Sequence, residues 1–247
     1  MCGDGPAIVF LHGGWGYDVY PFDVQFEAFG GCFKILAPDR SGYGGSTDVA
    51  HLGPDFHHRA LLETLAVLDE MGVERPVWWG HSDGAVIAAL AGIHHPDRCN
   101  GVILEALHLY GDKPGSRSFF EKMAHEPDSF GPTLTSRLAA DHGEDRWRRV
   151  LEQGGLAWLE IAARSESRRV LYDGRLDELG APTMLIYGGR DPRGEPGEWE
   201  AIREALPHAT TAYYPSAGHS PHSEPDTADE VTSAALRFVT SLGLSPI

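Results

Sequence analysis

Cysteine is scarce in this chain: Cys2, Cys32 and Cys99 are the only three in 247 residues. An odd handful without repeated spacing excludes a disulfide framework and a thiolate metal cluster, and it fits a reducing compartment. Basic residues are also few, with 20 Lys and Arg against 36 Asp and Glu and a formal net charge of −16. A surface of that sign repels phosphate backbones and anionic lipid, so neither nucleic acid nor membrane is expected as a partner. No apolar run is long enough for a bilayer span, and the opening MCGDGPAIVFLHGG carries no basic leader. The expected location is cytoplasmic. Internal repeats and low-complexity tracts are missing too. The 13 histidines include the pairs His57-His58 and His94-His95, but nowhere do three ligands share one rigid face, so no metal is expected. GDG and GYGG lack the ordered glycines and lysine of a phosphate loop, and no cofactor is expected.

What is present is a rhythm. AIVFLH (7–12), FKILAP (33–38), PVWWG (76–80), GVILEAL (101–107), TMLIYG (183–188) and ATTAYYP (209–215) read as buried strands. Helical patterns lie between them: Arg59–Met71, with Leu61, Leu62, Leu65 and Leu68 on one face, then Ala85–Ile93, Gly197–Leu206 and Asp226–Leu242. Strands alternating with helices predict an α/β fold, a mainly parallel sheet with helices on both faces. The length suits one such domain.

The rhythm breaks between His108 and Glu178. That stretch has no convincing strand and holds 11 of the 20 basic residues but only 13 of the 36 acidic ones. It is nearly neutral, and the negative charge belongs to the remainder. Residues 1–107 and 179–247 are expected to form the sheet unit, with 108–178 a helical cap over the strand ends. A separate helical domain is the alternative.

In VWWGHSDGAV, residues 77–86, an apolar strand meets a small-residue helix through Gly80-His81-Ser82-Asp83-Gly84. A serine on such a sharp strand-to-helix turn projects its hydroxyl above the carboxyl edge of the sheet. A Cβ at Gly80 or Gly84 would crowd the turn. A serine nucleophile needs a base and the base a carboxylate. YGGRDP places Asp191 just past one strand, and YPSAGHSPH places His219 just past the next. An Asp before a Pro is also a common turn residue, His222 is a rival base, and Glu105 at the end of its strand is a rival acid. The glycine-rich LHGGWG (11–16) follows the first strand and offers the backbone N–H of Gly14, with Trp15 as the alternative, to an oxyanion; the N–H of Asp83 is the second donor. Trp147 and Trp158 are candidates for lining a pocket in the cap. Trp78 and Trp79 read as core.

Together, HGGWG, PDRSGYGGST (38–47), GHSDGA, GGRDP and AGHSPHSEPD (217–226) resemble the α/β-hydrolase fold superfamily of esterase- and lipase-like serine hydrolases, across nearly the whole chain. The resemblance implies a Ser82–His219–Asp191 triad, an oxyanion hole at Gly14 and Asp83, and no cofactor. PDRSGYGGS is in that family a structural turn without chemistry. GHSDGA and the short cap look most like the valacyclovir-hydrolase-like (biphenyl-hydrolase-like) esterases, which implies that the Asp83 side chain meets a substrate α-amino group. A small acyl substrate, an ester or lactone, is expected to be cleaved through an acyl-enzyme on Ser82. Acyl transfer, carbon–carbon bond hydrolysis with the same triad, and a low-turnover ligand receptor are the other readings. Family members usually begin with a strand hairpin ahead of the GDGPAIVFLHG segment, at which this sequence starts; either the sequence is short at that end or the sheet lacks two strands, and the FKILAP strand is then expected to present an open edge. A second subunit is a candidate to cover it, giving a homodimer.

Overall fold

A strand such as Val77–His81, buried at every position, has no polar face and needs helices on both sides. The computed structural model, which describes residues 5–164 and 171–244, supplies them. The strands β1 (Ala7–Leu11), β2 (Lys34–Leu36), β3 (Val77–His81), β4 (Gly101–Glu105), β5 (Thr183–Gly188) and β6 (Thr210–Tyr214) pair in the order β2-β1-β3-β4-β5-β6. Every pairing is parallel. The helices are α1 (Asp23–Gly30), α2 (Phe56–Glu70), α3 (Asp83–His94), α4 (Arg117–His125), α5 (Pro132–His142), α6 (Trp147–Arg164), α7 (Glu198–Ala205) and α8 (Ala228–Ser241).

Alternate strand residues feed two cores, as a period of two requires. Val9, Leu11, Trp78, Val102, Leu104 and Leu185 pack with Leu61, Leu65 and Leu68 of α2, nearly all of α3, and Ile202 of α7. Ile8, Phe10, Trp79, Ile103 and Ile186 pack with Phe29 of α1 and Val231, Ala235 and Phe238 of α8. A third cluster joins Phe120, Met123, Leu138, Trp147, Leu151 and Trp158 of the 108–178 stretch to Tyr43, Leu52 and Phe56. Two contacts fasten it further: Arg146 donates to the carbonyl of Gly44 at 2.9 Å, and Gly44 N–H donates to His142 Nδ1 at 3.0 Å.

Some expectations need correction. Leu62 points to solvent at 61% exposure while Leu61, Leu65 and Leu68 are buried; it lies a hundred degrees round the helix from Leu61, off the apolar stripe. The strand read at 209–215 is an edge, with Thr210, Thr211 and Tyr213 exposed. The β4 strand stops at Glu105 because Ala106 turns into the left-handed region at φ 51°. Helix α1 went unread, since DVQFEAFG has little amphipathic pattern. At the other end of the sheet, β2 pairs only with β1 among the described residues, and its Ile35 and Leu36 side chains are nonetheless buried. Cys32 and Cys99 are free thiols, and Cys2 lies outside the described residues. No helix among the described residues is long and apolar enough to cross a membrane.

Candidate active site

Between β3 and α3 the chain turns within one residue. Ser82 holds φ 55° and ψ −117°, a conformation that costs a non-glycine residue of order 1–3 kcal/mol and persists only when its surroundings enforce it. The enforcement is steric: a Cβ on Gly80 would run into the Gly84 carbonyl, and one on Gly84 into the Leu11 carbonyl. Strand, turn and helix thus press on one another with no room for side chains, and Ser82 stands out at the helix N-terminus.

Two loops meet it there. After β5, Asp191 accepts the N–H of Arg193 at 2.8 Å and takes His219 Nδ1 between its two oxygens at 2.8 and 2.9 Å. After β6, the His219 loop wraps the Glu224 carboxylate, which accepts from the N–H of Gly218 and Ser220. Arg190 N–H donates to the Ala217 carbonyl at 2.8 Å, tying one loop to the other. His81 Nε2 sits 3.1 Å from the His219 carbonyl and 2.9 Å from Ser220 Oγ, so the residue before Ser82 fixes the loop that carries His219. Burial, with the charges of His219 and His222, keeps His81 well below the usual imidazole value, hence neutral. Burial also opposes ionisation of Asp191, but His219 and the Arg193 amide outweigh it and hold the carboxyl below its usual range.

Ser82 and His219 line one cavity of about 260 Å³, yet Ser82 Oγ does not bond to His219. It lies 3.2 Å from Nε2 of His108, a residue that sequence reasoning passed over. The rival base and acid find each other instead. Glu105 Oε1 accepts from both the N–H and Nδ1 of His222 at 2.9 Å, in a pair with no solvent exposure. Neither faces the cavity.

Gly14, Trp15 and Asp83 all line the cavity. Among the described residues none of their N–H groups donates to protein. Trp15 stacks on Tyr20, ring centroids 5.8 Å apart. Trp158 also lines the cavity and stacks on Phe120 at 5.2 Å. Trp147 does not; it is buried in the helical cluster with Arg148 over its ring.

The Asp83 carboxylate is already committed. Its Oδ1 takes His57 Nε2 and Trp158 Nε1, each at 3.1 Å, and Arg40 stands 3.9 Å from its Oδ2. Burial would raise this carboxyl, but His57, Arg40 and Trp158 outweigh it and hold it ionised. A substrate ammonium would therefore meet a charge that Arg40 already balances, which argues against the amino-group role. Arg40 is the other omission: it comes from the PDRSGYGGS turn, taken as inert, and donates to the Gly13 carbonyl at 2.7 Å beneath the glycine loop.

The sequence pattern of the alpha/beta hydrolase family matches residues 8–233. The chain belongs to that family. This α/β hydrolase is 26% identical to the sn-1-specific diacylglycerol lipase ABHD11 of Mus musculus, over 92% of this chain and 80% of that one. It is 28% identical to a pimeloyl-[acyl-carrier protein] methyl ester esterase of Xanthomonas oryzae, over 98% of each. A thermophilic esterase from Thermogutta terrifontis superposes with a TM-score of 0.73 at 22% identity, covering 98% of this chain and 92% of that one. A Bacillus megaterium epoxide hydrolase superposes with a TM-score of 0.74 at 19% identity, covering 97% and 95%. At such identities the structural likeness is one of fold. Among the described residues of this α/β hydrolase, no group of three His, Cys, Asp or Glu side chains is placed to hold a metal ion.

Proposed function

We propose that this α/β hydrolase cleaves small carboxylic esters or lactones through an acyl-enzyme on Ser82. The observation that carries the reading is His219 Nδ1 held between the two Asp191 oxygens, beside a strained serine in one cavity. With Nδ1–H given to the carboxylate, Nε2 keeps its lone pair and is the base. Turning the Ser82 hydroxyl hydrogen towards that lone pair leaves Oγ beside His108 Nε2. His219 then takes the proton as Oγ attacks the acyl carbon, and Asp191 stabilises the imidazolium. The N–H groups of Gly14 and Asp83 receive the oxyanion, each worth about 3 kcal/mol of barrier. The alcohol leaves with the proton from His219, and water resolves the ester by the same route.

Esterases and epoxide hydrolases both occur among the relatives, and the nucleophile separates them. A serine that opened an epoxide would form an ether, which water does not cleave under these conditions; a carboxylate would form a hydrolysable ester. Ser82 therefore favours acyl chemistry. The 108–178 helices act in this reading as a cap, with Phe119, Phe120, Met123 and Trp158 giving the cavity an apolar wall. A panel of p-nitrophenyl esters of rising chain length, run beside amino-acid esters and with and without an alcohol acceptor, tests the reading. Turnover to free acid, with fluorophosphonate labelling that disappears in Ser82→Ala, is the expected result. Labelling that survives in Ser82→Ala would refute it. An amino-acid ester favoured over its uncharged analogue would restore the ammonium role of Asp83.

A further inference from the structure

The serine hydroxyl sits between two imidazoles, and what stands behind each ring differs in sign. Behind His219 is a carboxylate. Behind His108 is an ammonium: Lys113 Nζ lies 3.1 Å from His108 Nδ1, and 2.9 and 2.6 Å from the two oxygens of Glu198. Lysine only donates, so His108 Nδ1 must accept, and the ring proton is left on Nε2. That proton points at Ser82 Oγ, 3.2 Å away. A base needs a free lone pair, and His108 has none to offer the serine.

Three features show that this arrangement is built. Glu198 also accepts the N–H groups of Leu109 and Tyr110, and Tyr172 Oη donates to the His108 carbonyl at 2.9 Å, so the segment is held at each step. Ala106, two residues before it, is strained at φ 51°, and that turn is what brings the chain off β4 towards the cavity. The Lys113 and Glu198 side chains are 0% and 2% exposed, which is a poor way to gain stability, since apolar residues of like volume usually serve as well.

We infer that His108 is a second catalytic histidine, a fixed hydrogen-bond donor that assists departure of Ser82 Oγ when the acyl-enzyme breaks down; this rests on the serine-hydrolase reading. In that step water adds to the acyl carbon and gives its proton to His219. The C–Oγ bond then breaks, its electron pair passes to Oγ, and Oγ recovers the proton from the His219 imidazolium. His108 transfers nothing. Its N–H meets the negative charge that gathers on Oγ as the bond lengthens. In the free enzyme the same hydrogen bond already exists, so formation of the acyl-enzyme gains little from it. An ester oxygen is a weak acceptor, so the bond strengthens most from acyl-enzyme to transition state, and deacylation gains most.

The test is transient kinetics with p-nitrophenyl acetate on the wild-type protein, His108→Leu, His108→Gln and the double variant Lys113→Met/Glu198→Gln. Loss of a hydrogen bond to a charged atom predicts deacylation slower by about ten- to a hundredfold in His108→Leu. The signature is a burst of one equivalent of nitrophenol, with kcat and KM falling together while kcat/KM stays within about threefold. His108→Gln, whose side-chain amide reaches the Nε2 position as a donor, is expected to recover much of the rate. The double variant keeps the imidazole but releases its tautomer, and it is expected to slow deacylation even where His108→Leu fails to fold. Deacylation at the wild-type rate in folded His108→Leu, or in the folded double variant, overturns the inference while leaving Ser82 as nucleophile. A wild-type protein that takes neither fluorophosphonate nor acetate overturns the hydrolase reading itself.

Discussion

Ser82, His219 and Asp191 could be picked out one at a time because each follows a short apolar run and lies within two residues of glycine or proline, the marks of a strand end entering a loop. His108 carried no such mark. It lies one residue past the expected end of its strand, and its proposed role depends on Lys113 and on Glu198, 85 residues beyond that lysine. Arg40 was hidden for the same reason: nothing in PDRSGYGGS says that its guanidinium reaches Gly13 and Asp83. At this scale Asp191→Asn is expected to keep the fold and lower kcat by roughly 10²–10⁴, because an amide no longer holds His219 with its lone pair towards the serine. Steady-state kinetics on a variant with an unchanged circular dichroism spectrum checks it. Full activity would move the carboxylate role elsewhere.

Elements explain why the rivals separated. Glu105 ends β4 and His222 follows the β6 loop, so both come to the strand ends, but there Glu105 takes His222 and Trp79 as partners, and His222 stacks on Phe22 with centroids 4.0 Å apart. A pair buried to this degree loses about 3 kcal/mol when one partner is removed. His222→Ala is therefore expected to lower the melting temperature by roughly 10 °C while retaining kcat per folded molecule. Loss of turnover without loss of stability would make His222 the base. At the opposite end of the sheet, β2 has β1 as its only neighbour among the described residues. A second copy along that edge predicts a dimer mass by light scattering at micromolar concentration; a monomer mass would leave the edge to other cover.

Across the whole molecule, burial sets the response to acid. His12, His81 and His108 are held well below 6.5 chiefly by burial, with neighbouring cations and histidines adding to the effect. Their folded pKa values lie beneath their unfolded ones, so as pH falls through about 6.5 the unfolded chain takes up protons that the native state refuses. Stability is expected to hold above pH 7 and to decline below 6.5, by at most about 1.4 kcal/mol per pH unit for each group. The lowered carboxyls of Asp83 and Asp191 add a second loss only further down, as pH falls through their own range. Melting temperatures at pH 7.5, 6.5 and 5.5 check the order, and an unchanged value at 5.5 would contradict it.

By itself the sequence determined the parallel α/β sheet, the serine turn and the chain order of Ser82, Asp191 and His219, because hydrophobic period, glycine spacing and strand ends are local properties. Only the tertiary structure decided which side chains meet. It paired Glu105 with His222, gave Asp83 to His57, Trp158 and Arg40, buried Trp147, and set the Ser82 hydroxyl on His108. Those outcomes follow from where distant loops converge above the sheet and from which polar groups burial forces into partnership, and no window of sequence contains either.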